Sequence, residues 1–412
     1  MKFSMENEAE VSEIIKPSLA DSIITSLHVG ATAYGGLAMA GQVKKKLVEE
    51  KKWISEKDFL DALSLAQILP GATFVTLMAY VGYRLYKILG ALVVPFFFIL
   101  PSFIAVVVLS FLYFHFPNQP YIVKVFAGLN AMVVALLINA VFTVGKSVFP
   151  KISLKYYKGF LIATFVLVLA FWLKIEMIYL ILGAGVLGFL FYYFTGEFEG
   201  VEEQNKSSAT AQKRISILSK NVLKYFLVIA IVVAALWILS FIHPFGELFA
   251  SFFKVGLFSF GGYSSLPLMQ HEAINVHHWL SLKEFSDGIA LGQITPGPIL
   301  ITAAFIGLKV AGLTGAAIAT IAIFSPSIIL IILLYELHGK INKLPVVKVF
   351  VKGILAGFIG LLVYLAIRLG ILSLNNWQTW TIFVLSTIAL IKFRFDVLWI
   401  ILSTIILSLI IL

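Results

Sequence analysis

Long apolar blocks alternate with short polar breaks along almost the whole chain. Blocks extended enough to cross about 30 Å of hydrocarbon fall near residues 88–114, 121–144, 157–174 and 177–194, again at 222–242, and again at 312–335, 349–369, 377–391 and 395–412. Each reads as a membrane helix. Two regions depart from this pattern, residues 29–71 and 255–297, where apolar runs are cut short by a glycine pair, a polar turn and a Pro-Gly step. A third departure, Glu197 to Lys220, carries charges and the tract Ser207-Ser208-Ala209-Thr210 and reads as a solvated linker. The start of the chain is polar and mildly acidic, with Glu6, Glu8, Glu10 and Glu13 against Lys2 and Lys16, the reverse of a secretory leader, so no cleaved targeting segment is expected.

The two broken regions are one stretch present twice. Adding 226 carries Val29-Gly30, Tyr34-Gly35-Gly36, Trp53 and Gln67-Ile68-Leu69-Pro70-Gly71 onto Val255-Gly256, Phe260-Gly261-Gly262, Trp279 and Gln293-Ile294-Thr295-Pro296-Gly297 without a gap. Ser55, Lys57, Phe59, Asp61 and Leu65 recur in the same register as Ser281, Lys283, Phe285, Asp287 and Leu291. The chain therefore divides into an N-terminal repeat at 18–195, a polar linker at 196–220, an additional transmembrane helix at 221–243 and a C-terminal repeat at 246–412. Each repeat holds the broken motif pair plus four spans and returns the chain to the side on which it began. One extra crossing, at 222–242, inverts the second copy. The expected fold is an all-α polytopic membrane protein with two inverted-topology repeats and broken or re-entrant helices at the motifs, an architecture common among secondary transporters.

Composition agrees with a bilayer protein, since 60% hydrophobic residues, 13% charged residues and a mean hydropathy of +0.99 exclude a soluble globular domain. Cysteine is absent, which removes disulfide, thiolate and iron–sulfur chemistry. The net charge of +10 then reads as loop lysines that orient the chain rather than as a nucleic-acid footprint. With the N-terminus cytoplasmic, the inner side collects Arg84, Lys87, Lys146, Lys151, Lys155, Lys158, most linker lysines, Lys340, Lys343, Lys348, Lys392 and Arg394, while the outer side keeps chiefly Lys124, Lys174, Lys283, Lys309 and Arg368. The lysines from Lys44 to Lys57 fit that orientation when each motif element is a re-entrant hairpin, and hairpins are expected.

The motif has a chemical reading. Ser55-Glu56-Lys57-Asp58 and Ser281-Leu282-Lys283-Glu284 fit capping boxes, so a helix starts at each and runs to the Pro-Gly step. There proline removes a donor, glycine permits an unusual backbone, and the next helix begins. Free amides at a helix start bind anions without any charged side chain. If the segments after Gly35-Gly36 and Gly261-Gly262 are helical too, four starts converge and, at roughly half a unit charge each, supply about +2, a match for a dianion. The competing readings are a glycine pair serving only as a packing surface and Pro-Gly serving only as a kink.

Side chains at matched positions extend the picture. His28 matches Lys254, and Arg84 matches Lys309 after a one-residue slip visible at Gly82 and Gly307. These four either flank an anion pathway or anchor the chain at headgroups. Asp61 and Asp287 either relay protons or stabilise a helix start. Gln67 and Gln293 either donate to a ligand or tie the broken backbone together. His271, Glu272, His277 and His278 follow no standard zinc spacing, so no metal is expected. No Walker sequence is present, so neither is nucleotide drive.

The glycine pairs after an aromatic residue, the tryptophan before a capped helix and the Gln-x-x-Pro-Gly-Pro element resemble the chromate ion transporter family in its two-domain form. The resemblance covers both halves from about residue 20 onward and implies export of chromate, with sulfate as the related oxyanion. By position it implies site elements Gly35, Gly36, Pro70 and Gly71 with Gly261, Gly262, Pro296, Gly297 and Pro298. The first copy departs from the family pattern, with Ala72 where the second has Pro298. Hydroxyls of Thr73, Thr295, Ser264 and Ser265, with Gln67 and Gln293, are the side chains expected to join the backbone in replacing an anion's water. The expected function is secondary transport by alternating access in the plasma membrane, with antiport as one form of coupling and no cofactor. A passive oxyanion channel or a sulfate transporter is the alternative. An intramembrane hydrolase is disfavoured because Asp61 and Asp287 lack the Gly-x-Gly-Asp setting of membrane aspartyl proteases. Expected partners are the ion and membrane lipid, with a homo-oligomer left open and no nucleic acid.

Overall fold

A computed structural model describes residues 17–34, 36–149, 157–173, 175–193, 244–335 and 345–412. The linker, the additional apolar run at 222–242 and Gly35 lie outside the described residues, as do Lys151, Lys155, Lys174, Lys340 and Lys343. Among the described residues the regular structure is helical, apart from one isolated backbone bridge.

The first repeat opens with α1 (Leu19–Thr32), started by Ser18, whose hydroxyl accepts from the Asp21 amide. The chain breaks and resumes as α2 (Gly36–Lys44), which widens into a π-helical turn at Lys45–Glu50. Helix α3 (Glu56–Ile68) follows, then α4 (Thr73–His115), α5 (Pro120–Val148), α6 (Tyr157–Trp172) and α7 (Met177–Tyr193). The second repeat gives α8 (Phe245–Phe258), the short α9 (Ser265–Gln270) with its own π turn at His271–Val276, and α10 (Leu282–Ile294). A single 3₁₀ turn (Ile299–Ile301) leads into α11 (Thr302–Leu334), followed by α12 (Pro345–Ser373), α13 (Trp377–Ile391) and α14 (Val397–Ile411).

Length separates two kinds of helix. At 1.5 Å per residue, α1 and α3 with 14 and 13 residues reach only about 20 Å, short of the hydrocarbon thickness of about 30 Å. Among the described residues, four helices are long and apolar enough to cross: α4, α5, the stretch Ile299–Leu334 and α12. The expected spans at α13 and α14 are apolar but only 15 residues long, and α6 and α7 have 16 and 17 described residues. A helix this short is matched by local thinning of the bilayer.

Neither α4 nor α11 is straight. Tyr86 (φ −135°, ψ 19°) and Lys87 (φ 58°, ψ −137°) interrupt α4, and Ala311 (φ −146°, ψ 32°) and Gly312 (φ 62°, ψ −154°) interrupt α11 at the matched place. The bends are tight, since a Cβ on Gly82 would lie 2.1 Å from the Gly90 carbonyl and one on Gly307 2.2 Å from that of Gly315. The crossing arm of α4 therefore begins near residue 88, where the apolar block begins in the sequence.

The two repeats are interlocked. Helix α4 packs against α11 at the centre, with α1 on α4 and α8 on α11. Around them α5 packs against α12, α13 and α14, while α12 packs against α5, α6 and α7, so each repeat's long helix holds the last two helices of the other. The contacts of α1 and α8 are backbone-close: a Cβ on Gly30 would sit 2.1 Å from the Phe98 carbonyl, and one on Gly256 2.2 Å from that of Ile323.

Gly30→Val is expected to lower the stability of the purified protein by about 1–3 kcal/mol through overpacking. Gly41→Ala, at a helical glycine with no neighbour within 4 Å, is expected to leave it unchanged or slightly raised. Thermal unfolding in detergent, run on both, checks the pair.

Candidate functional site

The four breaks converge. The Gly71 amide donates to the Ser259 carbonyl at 2.6 Å, and the Gly261 amide donates back to the Gly71 carbonyl at 3.2 Å, which is the isolated bridge between Gly71 and Phe260. The matched bond is present on the other side, where the Gly297 amide donates to the Ala33 carbonyl at 2.8 Å. A Cβ added at Gly261 would lie 3.8 Å from Thr73 Oγ1, and one at Gly262 would press on Ile299 at 2.8 Å. Each start after a Pro-Gly step thus sits against the glycine break of the other repeat.

Buried serines complete the lock. Ser327 Oγ accepts from the Ala72 amide at 2.8 Å, and Ser102 Oγ donates to the Pro296 carbonyl at 2.5 Å. The two serines match at an offset of 225, yet their hydroxyls run in opposite senses. The cause is the sequence departure at Ala72 and Pro298: Ala72 has an amide to give and Pro298 has none, so Ser102 turns to a carbonyl instead. Gly71 (φ 122°) and Gly297 (φ 104°) both need positive φ, and a Cβ on either would come within 2.3 Å and 2.0 Å of the facing serine oxygen. The one-residue slip between the copies falls here too. The second copy uses a 3₁₀ turn where the first is already α-helical, and the tighter winding takes fewer residues per turn.

Several expected ligand groups are engaged elsewhere. The amides of Gly71 and Gly297 join the two repeats and are not open to a ligand. Ser264 donates to the Gly261 carbonyl, Ser265 to Gly262 and Thr295 to Gly292. Each is a hydroxyl tied to its own turn, as short polar side chains next to irregular backbone tend to be. What remains is the start of α4 and the 3₁₀ turn of the second copy, neither of which has a side-chain cap, whereas α3 and α10 are capped by Ser55 and Ser281. Gln293 is 8% exposed with its Nε2 lacking any partner, and its Oε1 lies 3.5 Å from the Tyr263 hydroxyl. Gln67, its match, is exposed. Gly36, Pro70, Pro296 and Pro298 shape the breaks through their backbone.

Three of the four matched basic residues are not open to an anion either. Arg84 pairs with Asp58 at 2.7 Å and Lys309 with Glu284 at 2.9 Å, so each Pro-Gly hairpin is stapled across its base. Of the two expected boxes, Ser281 and Glu284 form the full one; Ser55 accepts from the Asp58 amide, but the shorter aspartate turns to Arg84 and to the Ser55 hydroxyl. Burial acts to raise both carboxyls but is outweighed, at Asp58 by Arg84 and Ser55 and at Glu284 by the Ser281 amide and Lys309, so both lie below their ordinary values. Lys254 meets Glu272 at 2.7 Å and Glu176 at 3.5 Å, while His28 is exposed. Ser102 and Ser327 escaped the sequence reading because each lies in an apolar run; the recurrence of Pro101-Ser102 as Pro326-Ser327 at the slipped offset was the available signal.

Interlocked broken helices with long apolar spans define a multi-pass membrane protein. The family model described as chromate transporter matches residues 20–189 and 246–409, leaving out the linker and the additional apolar run. The chain is 32% identical over 398 residues to an uncharacterised transporter of Methanocaldococcus jannaschii, covering 96% of this chain and 95% of that one. It is 31% identical over 379 residues to the chromate transport protein of Cupriavidus metallidurans, covering 92% and 89%. It is 30% identical over 368 residues to a probable chromate transport protein of Synechococcus elongatus, covering 89% and 87%. No solved structure matches. The chain belongs to the chromate transporter family, a family of transporters and not of enzymes.

Ser327→Ala leaves the buried Ala72 amide without an acceptor and is expected to cost about 1–3 kcal/mol of stability. Ser102→Ala orphans only a carbonyl, which retains weaker demands, and is expected to cost less. Chemical denaturation of the two variants side by side reads the difference.

Proposed function

We propose that the protein is a secondary transporter that exports chromate, and accepts the related oxyanion sulfate, across the plasma membrane by alternating access between two inverted repeats. The single observation carrying this reading is the buried, unpartnered amide nitrogen of Gln293, on a helix that packs against the 3₁₀ turn and α4, whose starts no side chain caps. A buried N–H donor without a partner is costly, and an anion is the ligand that relieves it. Two uncapped starts at about half a unit charge each contribute roughly +1, to which Gln293 and Thr73 add neutral donors. Removing a dianion from water is expensive, and this set of oriented dipoles offsets that cost without a fixed cation that would hold the ion too tightly. Reciprocal bonding between the repeats is the pattern a two-fold axis generates, and supports the inverted arrangement. The positive-inside bias supports a cytoplasmic N-terminus, with the short hairpins re-entering from their own sides.

Gln293→Leu is expected to weaken chromate binding to purified protein about tenfold or more, and Gln293→Glu to abolish it by placing like charge in the site. Gly297→Leu is expected to reach the membrane and transport nothing. Binding to purified protein and uptake into everted vesicles measure these outcomes, with pH, potential and trans-anion gradients imposed one at a time to find the coupling. Wild-type protein that bound neither oxyanion and gave cells no protection from chromate would refute the assignment.

A further inference from the structure

Matched positions of the two repeats differ sharply in exposure along α3 and α10. Along α3, Lys57, Leu60, Asp61, Ser64 and Gln67 are all exposed, and their spacing puts them on a single face. At the same places on α10, Ser286 and Asp287 are fully buried at 0%, and Ala290 and Gln293 are buried as well. Two copies of one stretch therefore sit in opposite environments.

The buried face is closed by a specific set of bonds. Asp287 accepts from the Tyr113 hydroxyl at 2.6 Å, from Asn130 Nδ2 at 2.6 Å and from Lys283 Nζ at 3.0 Å, and Asn130 in turn accepts from Ser286 at 2.8 Å. Tyr113 is on α4 and Asn130 on α5, so a helix of the second repeat is latched onto the first. The remaining nearby charges, Glu284 and Lys309, neutralise each other. Helix α10 packs on α5 and on α4, whereas α3 packs on α4 and, among the described residues, has no comparable packing on α12. Two members of the reciprocal latch are missing from the sequence: Asn130 corresponds to Leu355 at the offset of 225, and Ser286 to Leu60, while the counterpart of Tyr113, His338, lies outside the described residues. Leu355 cannot hold the Asp61 carboxylate.

We infer that this is one end state of the transport cycle, in which the path to the oxyanion runs in water along the Lys57–Asp61–Ser64–Gln67 face of α3 while the matching path along α10 is shut by the Asp287 latch. The inference rests on the transport reading above and deepens it. Gln67 and Thr73 lie where this path meets the convergent helix starts, and Lys57, one turn before Asp61, offsets its charge for an approaching anion. With the N-terminus inside, α3 enters from the cytoplasm, so the favoured state is open to the compartment from which the ion is taken. The one-sided latch makes it the resting state.

The natural absence of cysteine allows a direct test. In Ser64→Cys and Ala290→Cys proteins, reaction with a charged, membrane-impermeant thiol reagent is measured from each face in right-side-out and inverted vesicles. Ser64→Cys is expected to react from the cytoplasmic face about tenfold or more faster than Ala290→Cys reacts from either face. Adding Asn130→Leu, or Tyr113→Phe where the first variant fails to accumulate, is expected to raise the Ala290→Cys rate and lower that of Ser64→Cys. Equal rates, or a Ser64→Cys protein inert from both faces because lipid or a second copy covers α3, overturns the path. Ser64→Cys reacting only from outside overturns the inward-open assignment. Labelling needs no substrate, so the expected pattern together with failed chromate binding sinks the chromate reading and leaves the gate standing.

Discussion

Every break in a membrane helix exposes backbone amides and carbonyls that hydrocarbon cannot satisfy, and this protein contains four such breaks at one place. An unpaired backbone group in that setting costs several kcal/mol. The solution is mutual. Gly71 bonds to Ser259, Gly297 to Ala33, Ala72 to Ser327 and Pro296 to Ser102, all across the line between the repeats. The rest of the architecture follows: α4 and α11 must lie together to bring their serines to the opposite breaks, and the outer helices are exchanged between the repeats around that pair.

The division of labour at the breaks is narrower than a row of glycines suggests. Glycine amides hold the repeats together, hydroxyls next to them hold their own turns, and charged side chains staple the hairpin bases. Among the described residues, uncapped helix starts, the Gln293 amide and the hydroxyls of Thr73 and Thr76 are left over. A binding region composed of the donors that structure does not consume is weak per group. That suits a transporter, which has to release what it binds.

Much of this was legible in the sequence because repetition exposes spacing. The offset of 226 placed both breaks and both serine caps, and the apolar block starting at residue 88 coincides with the arm of α4 that follows its bend. What the sequence concealed was partnership. Arg84 and Lys309 read as pathway cations or headgroup anchors, and not as hairpin staples, because their carboxylates, Asp58 and Glu284, lie on the preceding helix. Ser264, Ser265 and Thr295 read as ligands because a hydroxyl's direction is not encoded by its neighbours. The burial of Asp287 against the exposure of Asp61 was invisible for a different reason: identical residues acquire different surroundings from Asn130 and Leu355, which lie in spans that look alike in hydropathy.

The crossed serine bonds bear on how such a protein arose. Neither repeat supplies the acceptor or donor for its own Pro-Gly step, so a chain carrying one repeat would be incomplete by itself and would complete the same bonds only by meeting a second copy. On this view duplication joined two partners that already required one another. Once they were covalently linked, Ala72 and Pro298, or Asn130 and Leu355, were free to diverge, and a symmetric pair could acquire a direction.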